Sequence, residues 1–305
     1  MRPPRVFLAF LFLLLVGGGI AMIEVGIYAY TLFTVVPVLI GAIASLITRP
    51  ATGLGAVAVG GGVGLLASLS LLALGLEGAI CVVMAAPLTT PLGMLGSWLV
   101  YKANSAEAAT GSIVMFLLLP SASLTWDAKT VPPVFEVSSS IEIAAPPERV
   151  WKHVVTFSEL PEPHEWYFRA GIAYPRRARI EGTGVGAVRY CEFSTGPFVE
   201  PIEVWDEPRL LRFAVTANPA PMNELSPYGH ISPKHLHGYL VSKHGQFKLT
   251  PLPNGHTLLE GTTWYQHGLW PAEYWRWWSD AIIHRIHMRV LTHIRNLAEA
   301  ARAAR

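Results

Sequence analysis

The sequence predicts a two-part protein, in which an all-α transmembrane bundle is followed by an α+β domain. Between positions 6 and 100 the only charged residues are Glu24, Arg49 and Glu77, whereas all 11 His residues come later. The later part contains short alternating stretches with turn signals between them, which is typical of strands. It ends in a long amphipathic helix, Tyr274–Ala300, for which these strands are the expected packing surface.

Composition excludes several classes of protein. With 51% hydrophobic and 14% charged residues, the chain is too apolar for an ordinary soluble protein. A net charge of +2 without a basic stripe predicts no nucleic-acid partner. The two cysteines form neither a disulfide framework nor a metal-type spacing. The sequence therefore predicts an integral membrane protein of the bacterial cell membrane, with a second, water-soluble part.

Four hydrophobic stretches are long enough to cross a bilayer. They are Val6–Ile23, Val25–Ile47 with an interruption at Pro37, Gly53–Leu76 and Gly78–Val100. The first stretch also fits a signal peptide, but the spans that follow at once favour a transmembrane helix. Gly60 and Gly64 have the small-xxx-small spacing that lets helix backbones approach closely. A tightly packed bundle is therefore predicted rather than a pore.

Flanking charges predict the orientation of these spans. Positive residues flank alternate ends, and Glu24 and Glu77 occupy the other side, so the N-terminus is expected in the cytoplasm. The positive residues are Arg2, Arg5, Arg49 and Lys102. A further uncharged stretch, Ala108–Trp126, is interrupted by Pro120. As a fifth span it would place the soluble domain outside the cytoplasm; the alternative is an interfacial or re-entrant segment.

The predicted domain boundaries follow from these changes in composition. The transmembrane region of four to five spans covers residues 1–126, a linker covers 127–133, the soluble domain covers 134–300, and a tail covers 301–305.

The soluble domain has a regular predicted order of elements. One strand at Phe135–Ile143 is followed by a helix that begins near Pro147 and by a second short helix or ordered loop within Ser158–Pro175. Six strands follow, at Arg177–Glu181, Ala187–Thr195, Phe198–Trp205, Leu210–Thr216, Gly238–Leu249 and Thr257–Gln266. Hairpin turns are predicted at Gly196-Pro197 and Asn254-Gly255.

This order, opened by SIEIAAPPERVW at 140–151, resembles the START-like superfamily, also described as the Bet v 1-like or polyketide cyclase and lipid transport group. The resemblance covers residues 134–300. It implies a helix-grip fold, in which a curved antiparallel sheet wraps around the long C-terminal helix and leaves an apolar ligand cavity. It implies no universal catalytic motif.

Strand alternation predicts which side chains face that cavity. Across the first turn Arg189, Phe193 and Glu200 share a face, and across the second turn Phe247 shares a face with Glu260 and Trp264. For Arg189, Glu200 and Glu260 two interpretations stay open. They form buried ion pairs or hydrogen-bonded core groups, or they orient the polar end of an apolar ligand. Glu200 could also act as an acid or base.

The last helix and two connecting segments supply the other candidates. His287 lies within the apolar arc of the helix. Its role is that of a core histidine with satisfied hydrogen bonds, a hydrogen-bond donor to the ligand, or an acid/base. Trp278 lies near the start of the same helix. Trp166 and Arg169 are predicted at the cavity rim, or in a segment that packs against the membrane part or a partner protomer. Asn218–His235 is either a lid over the cavity or a segment that packs against the membrane part or a partner protomer.

We predict no metal site and no cofactor. The pairs His284/His287 and His235/His237 each lack a third ligand in the sequence, and no nucleophile motif is present. The predicted function is membrane-anchored binding or transfer of a hydrophobic small molecule or lipid. The alternatives are a cyclase, dehydratase or hydrolase that acts on an apolar substrate in the same cavity, and a structural or sensory membrane protein.

Overall fold

The computed structural model describes residues 4–103 and 118–303, and the chain divides into two compact units. The first unit comprises Met1–Val131, Glu224–His235 and Gly268–Pro271. The second comprises Pro132–Asn223, Leu236–His267 and Ala272–Arg305. The predicted fold class is confirmed, because a region with four apolar helices is followed by a seven-stranded antiparallel sheet and a long C-terminal helix.

The helices of the first unit follow the predicted spans. They are α1 (Arg5–Val25), α2 (Val36–Thr48), α3 (Gly53–Ala73) and α4 (Ala79–Ala103), and a π-helical turn at Thr31–Val35 leads into α2. Each is long and apolar enough to cross a membrane when the π turn is counted with α2. Of the predicted fifth stretch, residues 108–117 lie outside the described residues, and residues 118–127 are helical.

Proline and glycine explain two features of this helical unit. Pro37 lies where the π-helical turn Thr31–Val35 passes into α2, and it supplies no N–H group to the helical hydrogen bonds there. A Cβ atom added to Gly96 would lie 1.9 Å from the Val38 carbonyl oxygen, and one added to Gly60 would lie 2.3 Å from that of Gly93. The backbones of α2, α3 and α4 are therefore in direct contact, which only glycine permits at these positions.

The second unit contains one sheet and the long helix. The strands are β1 (Val134–Ile143), β2 (Pro175–Glu181), β3 (Val188–Phe193), β4 (Gly196–Asp206), β5 (Leu210–Ala214), β6 (Leu240–Pro251) and β7 (Thr257–His267). Their spatial order is β1-β7-β6-β5-β4-β3-β2, and all neighbours are antiparallel. The helices are α5 (Pro147–Val155), α6 (Trp166–Arg169) and α7 (Ala272–Ala303), and a 3-10 turn covers Lys234–Leu236.

Helix α7 buries its apolar side against one face of the sheet, which is called the inner face below. Val290, Leu291 and Ile294 are almost fully buried in the same core as Phe247 and Leu259. The predicted packing of the long helix on the strands is therefore present. Burial of a side chain of this size contributes about 1.5–3 kcal/mol, so α7 supplies a large part of the core of this unit.

The register of β6 and β7 corrects the predicted inner face. Phe247 pairs with Gly261, so Glu260 and Trp264 lie on the opposite, outer face of the sheet. The prediction assumed a two-residue turn at Asn254-Gly255, but Pro251 already pairs with Thr257, which leaves five residues in the connection. A change of one residue in register moves every side chain of a strand to the other face.

The first hairpin keeps its predicted faces although its turn lies elsewhere. Phe193 pairs with Gly196, so the turn is Ser194-Thr195, and Arg189 and Glu200 share a face as predicted. The structure also places them directly opposite each other. A β-bulge follows Ile202, because the next paired residue of β4 is Val204. The bulge turns Trp205 towards the core, where its ring centroid lies 5.6 Å from that of Trp151, which the strict alternation did not predict.

Candidate functional site

A charged pair lies on the inner face of the sheet. The side chains of Arg189 on β3 and Glu200 on β4 are 2% and 7% exposed, and Arg189 Nη1 donates a hydrogen bond to the Glu200 carboxylate. Arg189 Nε donates a second hydrogen bond to the Val155 carbonyl at the end of α5, over 3.2 Å. The pair is therefore held by two strands and by the helix that follows β1.

Aromatic rings surround the guanidinium group of Arg189. Its Cζ atom lies 5.6 Å from the ring centroid of Phe157 and 5.5 Å from the centroids of Phe213 and Phe247. Such distances allow cation–π attraction. Nη2 of Arg189 is buried and has no hydrogen-bond partner among the described residues. A buried donor without a partner costs about 1–3 kcal/mol, so this atom is suited to an acceptor supplied by a ligand.

Burial and mutual attraction act in opposite directions on the two members of this pair. Burial is the largest influence on the pKa of Arg189 and lowers it, but Glu200 and Cys191 together raise that pKa above its ordinary value. Burial raises the pKa of Glu200, and the guanidinium opposes that shift. Cys191, next on the same face of β3, has its pKa raised to about 12, chiefly by burial, so its thiol is neutral. The Arg189 guanidinium is therefore the buried positive group available to a ligand on this face.

His287 on α7 forms a separate polar group on the inner face. Its Nε2 lies 2.8 Å from Thr263 Oγ1, and its Nδ1 lies 3.2 Å from Ser139 Oγ. His284 Nδ1 lies 2.7 Å from the same Ser139 hydroxyl. Burial, together with the nearby charge of His284, lowers the pKa of His287 to about 4, so the ring is neutral at pH 7. Because both ring nitrogens have partners, the geometry favours the satisfied core histidine.

The structure brings together some of the predicted residues and not others. Arg189, Glu200 and Phe247 form one group on the inner face. Phe193 is half-buried beside the core, with its ring 4.8 Å from that of Phe198, and Trp278 is half-buried with its ring 4.7 Å from that of Trp277. Trp166 is 77% exposed, and Arg169 is also exposed. Glu260 and Trp264 lie on the outer face, as the register shows.

Arg289 is a residue that helical periodicity places opposite the apolar stripe of α7. Its side chain is 10% exposed, and its Nη2 donates a hydrogen bond to the Pro161 carbonyl. Its guanidinium lies 5.8 Å from the ring of Phe168 and 5.5 Å from that of Tyr174. The segment 158–174, which precedes β2, thus covers this side of the helix. Helical periodicity alone could not show that a loop would cover it.

The segment predicted as a lid lies in the helical unit. Glu224–His235 is part of the first unit, where the Ala79 amide donates a 2.8 Å hydrogen bond to the Leu225 carbonyl. The Tyr228 hydroxyl donates to the carbonyl of Ala73, at the end of α3. For these residues the structure contradicts the lid interpretation, because they pack within the unit of apolar helices.

This packing creates a polar cluster at the connection between α3 and α4. Glu77, Cys81 and His235 each offer one metal-ligand atom, and these atoms lie within 4.8 Å of one another. Cys81 Sγ lies 2.7 Å from His235 Nε2, and Glu77 Oε2 lies 3.3 Å from His235 Nδ1. Glu224 Oε1 lies 3.9 Å from His235 Nε2. Sequence spacing missed this group because His235 is 154 residues from Cys81.

Comparison with known proteins agrees with the architecture of the second unit. Residues 134–266 match the sequence profile of the family described as Polyketide cyclase / dehydrase and lipid transport. No match was found among curated proteins.

Solved structures are similar over a comparable part of the chain. A norcoclaurine synthase point mutant from Thalictrum flavum, in complex with a transition state analogue, is 13% identical, with a TM-score of 0.38, over 57% of this chain and 99% of that one. The Zhui aromatase/cyclase from Streptomyces sp. R1128 is 16% identical, with a TM-score of 0.32, over 55% and 94%. Protein NE0264 from Nitrosomonas europaea is 15% identical, with a TM-score of 0.33, over 55% and 96%. In sequence, residues 134–266 of this chain are thus similar to the polyketide cyclase / dehydrase and lipid transport family.

Proposed function

We propose that the second unit binds a hydrophobic small molecule or lipid on the inner face of its sheet. The observation that carries this proposal is the buried guanidinium of Arg189, which lies among aromatic rings and has one N–H group without a partner. A ligand with an apolar body and one polar acceptor satisfies both features. Its body packs against the rings, and its acceptor receives the hydrogen bond from Nη2.

The proposal includes anchoring to the membrane by α1 to α4. Apolar ligands concentrate in a bilayer because their release into water is unfavourable. A binding domain tethered at the membrane therefore meets its ligand at a higher local concentration than a free domain does. Transfer to or from the bilayer is the function that makes use of this tether.

We also propose that the soluble domain lies on the extracytoplasmic side. Glu24 and Glu77 follow the predicted non-cytoplasmic ends of their spans. With the uncharged stretch Ala108–Trp126 as a fifth span, the domain that follows it in the sequence lies on that same side of the membrane.

Catalysis on the bound molecule is the weaker proposal. An enzyme of this class would need an acid or base on the inner face, and His287 and Glu200 are the candidates. His287 is already hydrogen-bonded through both nitrogens, and Glu200 receives the Arg189 hydrogen bond. The geometry therefore favours binding of a ligand over turnover.

The experiment is native mass spectrometry of the full-length protein released from detergent micelles. We expect a bound hydrophobic compound at close to one per chain. The variant R189M/E200L replaces the buried pair by apolar groups and keeps the core filled, and it should retain at least tenfold less of the compound. The control R177M/E192L removes an exposed ion pair, whose side chains are 53% and 26% exposed, and should retain it fully. An empty wild-type protein, or equal retention in both variants, would contradict the proposal.

A further inference from the structure

We propose that Glu77, Cys81 and His235 form a structural Zn²⁺ site in the first unit, with Glu224 as the fourth ligand. The site lies at the connection between α3 and α4, where it joins this connection to the segment Glu224–His235. It is independent of the proposed ligand on the inner face, because all four residues belong to the first unit.

The donor set selects the metal. Zinc binds cysteine thiolate, histidine nitrogen and carboxylate oxygen, and it prefers four ligands in a tetrahedral arrangement. A thiolate is a poor ligand for Mg²⁺ and Ca²⁺, which prefer oxygen. With Glu224 included, the cluster offers one sulfur, one nitrogen and two oxygen donors. All four positions are then occupied by protein, which is typical of a structural zinc site.

Burial and charge provide an independent argument for a cation. The side chains of Glu77 and His235 are each 7% exposed, and that of Glu224 is 0% exposed. Glu77 Oε2, Glu224 Oε1 and His235 Nδ1 are buried and lack hydrogen-bond partners among the described residues. Two buried carboxylates without a Lys or Arg partner in the described chain are unfavourable, because charge in an apolar interior needs compensation. A divalent cation supplies that compensation.

The remaining hydrogen bonds hold the carboxylates towards the cluster. The Tyr28 hydroxyl donates to Glu77 Oε1 over 2.7 Å, and the Ile80 amide donates to Glu224 Oε2 over 3.2 Å. In each case the other carboxylate oxygen is the one without a partner. Outer hydrogen bonds of this kind orient ligands in known metal sites. Gly78 is part of the same arrangement, since a Cβ atom there would lie 2.0 Å from Glu224 Oε2.

His235 binds the ion through one ring nitrogen, and Nε2 is the one that faces two other donors, 2.7 Å from Cys81 Sγ and 3.9 Å from Glu224 Oε1. The ligand atoms of Glu77, Cys81 and His235 lie within 4.8 Å of one another, and two ligands on one tetrahedral zinc are about 3.4 Å apart, so the side chains must close in on the ion. The thiol and the imidazole are hydrogen-bonded at 2.7 Å and would separate to about 3.5 Å when both bind the ion. On binding, the Cys81 thiol releases its proton to solvent and the sulfur binds as thiolate, with no change in oxidation state.

The test uses the full-length protein in detergent, stripped with a chelator and then titrated with ZnCl₂. We expect one zinc per chain by elemental mass spectrometry. The variants C81S and H235Q should each weaken zinc affinity at least 100-fold in competition with a chromophoric chelator. The matched control H237Q removes an exposed histidine two positions away and should bind zinc as the wild type does.

A second measurement uses only the wild-type protein, so it does not depend on the folding of the variants. Zinc should slow alkylation of Cys81 by iodoacetamide at least tenfold, as read from the Cys81 peptide, and a chelator should reverse the effect. The proposal is overturned if zinc binds below one tenth per chain, if both C81S and H235Q bind it like H237Q, or if zinc leaves the alkylation rate of Cys81 unchanged. The cluster would then be a metal-free hydrogen-bonded group.

Discussion

Replacement of Arg189 by methionine removes the positive partner from a fully buried ion pair. Glu200 then stays in the core as an unpaired carboxylate, and loss of one partner of a buried pair costs about 3–5 kcal/mol. For a domain of 150–250 residues, each kcal/mol lowers the midpoint of thermal unfolding by about 2–4 °C. The single variant R189M should therefore unfold roughly 6–20 °C below the wild type.

The double variant R189M/E200L tests the physical reason for this loss. Replacement of both members by apolar groups of similar volume removes the unpaired charge, and such replacements are often neutral or stabilising by about 1–4 kcal/mol. We therefore expect the double variant to unfold near or above the wild-type midpoint. The control variant R177M removes an exposed pair, which contributes at most about 1 kcal/mol, and should shift the midpoint little.

The loss of stability in R189M should depend on pH. Without Arg189, burial raises the pKa of Glu200 in the folded protein above its value in the unfolded chain. A carboxyl group whose pKa is higher in the folded than in the unfolded protein does not affect stability at a pH below its unfolded pKa. As pH rises from there through the folded pKa, the group must lose its proton or stay neutral at a cost, and the folded state is destabilised. The deficit of R189M relative to the wild type should therefore shrink in acid and grow towards pH 7. Differential scanning fluorimetry of the full-length protein across pH measures this. A single variant within 1 °C of the wild type at pH 7, or a deficit that grows in acid, would refute the reasoning.

Three further predictions concern His287, Gly78 and Gly96. The pKa of His287 is lowered to about 4 in the folded protein. Above about pH 6.5 the ring is neutral in both the folded and the unfolded chain. As pH falls from there towards 4, only the unfolded chain takes up the proton, so the free energy of unfolding decreases by up to about 3 kcal/mol. H287Q should flatten that part of the stability profile, and an unchanged acid limb would contradict the assignment. G78A should displace Glu224 and lower the zinc affinity at least tenfold, whereas G62A, at a glycine with open space around it, should not. G96V should disrupt the contact of α4 with the Val38 backbone and reduce the yield of monodisperse protein in detergent, a result that normal gel filtration of G96V would exclude.

The sequence predicted the elements well because the relevant signals are local. Alternation located β1, the Pro146-Pro147 pair located the start of α5, and continuous apolar stretches located the four long helices. Each signal depends on a few neighbouring residues and on hydrogen-bond rules that apply in any fold. The long C-terminal helix was equally clear, since no Gly or Pro interrupts its periodicity.

The faces of the strands were less predictable, because they depend on exact turn lengths. The inner position of Arg189 and Glu200 was predicted correctly, since the real turn differs from the expected one by an even number of residues. Glu260 and Trp264 were assigned to the wrong face, because the β6–β7 connection has five residues rather than two. Turn length is set by backbone geometry that a single Asn-Gly signal does not determine.

The cluster of Glu77, Cys81 and His235 could not be predicted from spacing, because its parts meet only after folding. Glu77 and Cys81 lie four positions apart at the start of α4, and His235 belongs to a connection between strands of the other unit. Each residue had a simpler local interpretation, as a loop carboxylate, an apolar cysteine or half of an incomplete His pair. The partnership depends on a long connection that packs on the helical unit, which no local pattern encodes.

The central claim, that a hydrophobic ligand lies on the inner face of the sheet, is tested most directly by photolabelling in the membrane. Membranes containing the full-length protein are incubated with a diazirine-bearing fatty acid and irradiated, and labelled residues of the second unit are identified by peptide mass spectrometry. We expect labels at inner-face residues around Phe247, and at least tenfold fewer in R189M/E200L. Labels confined to outer-face residues such as Trp264, or equal labelling of the inner face in the double variant, would contradict the claim.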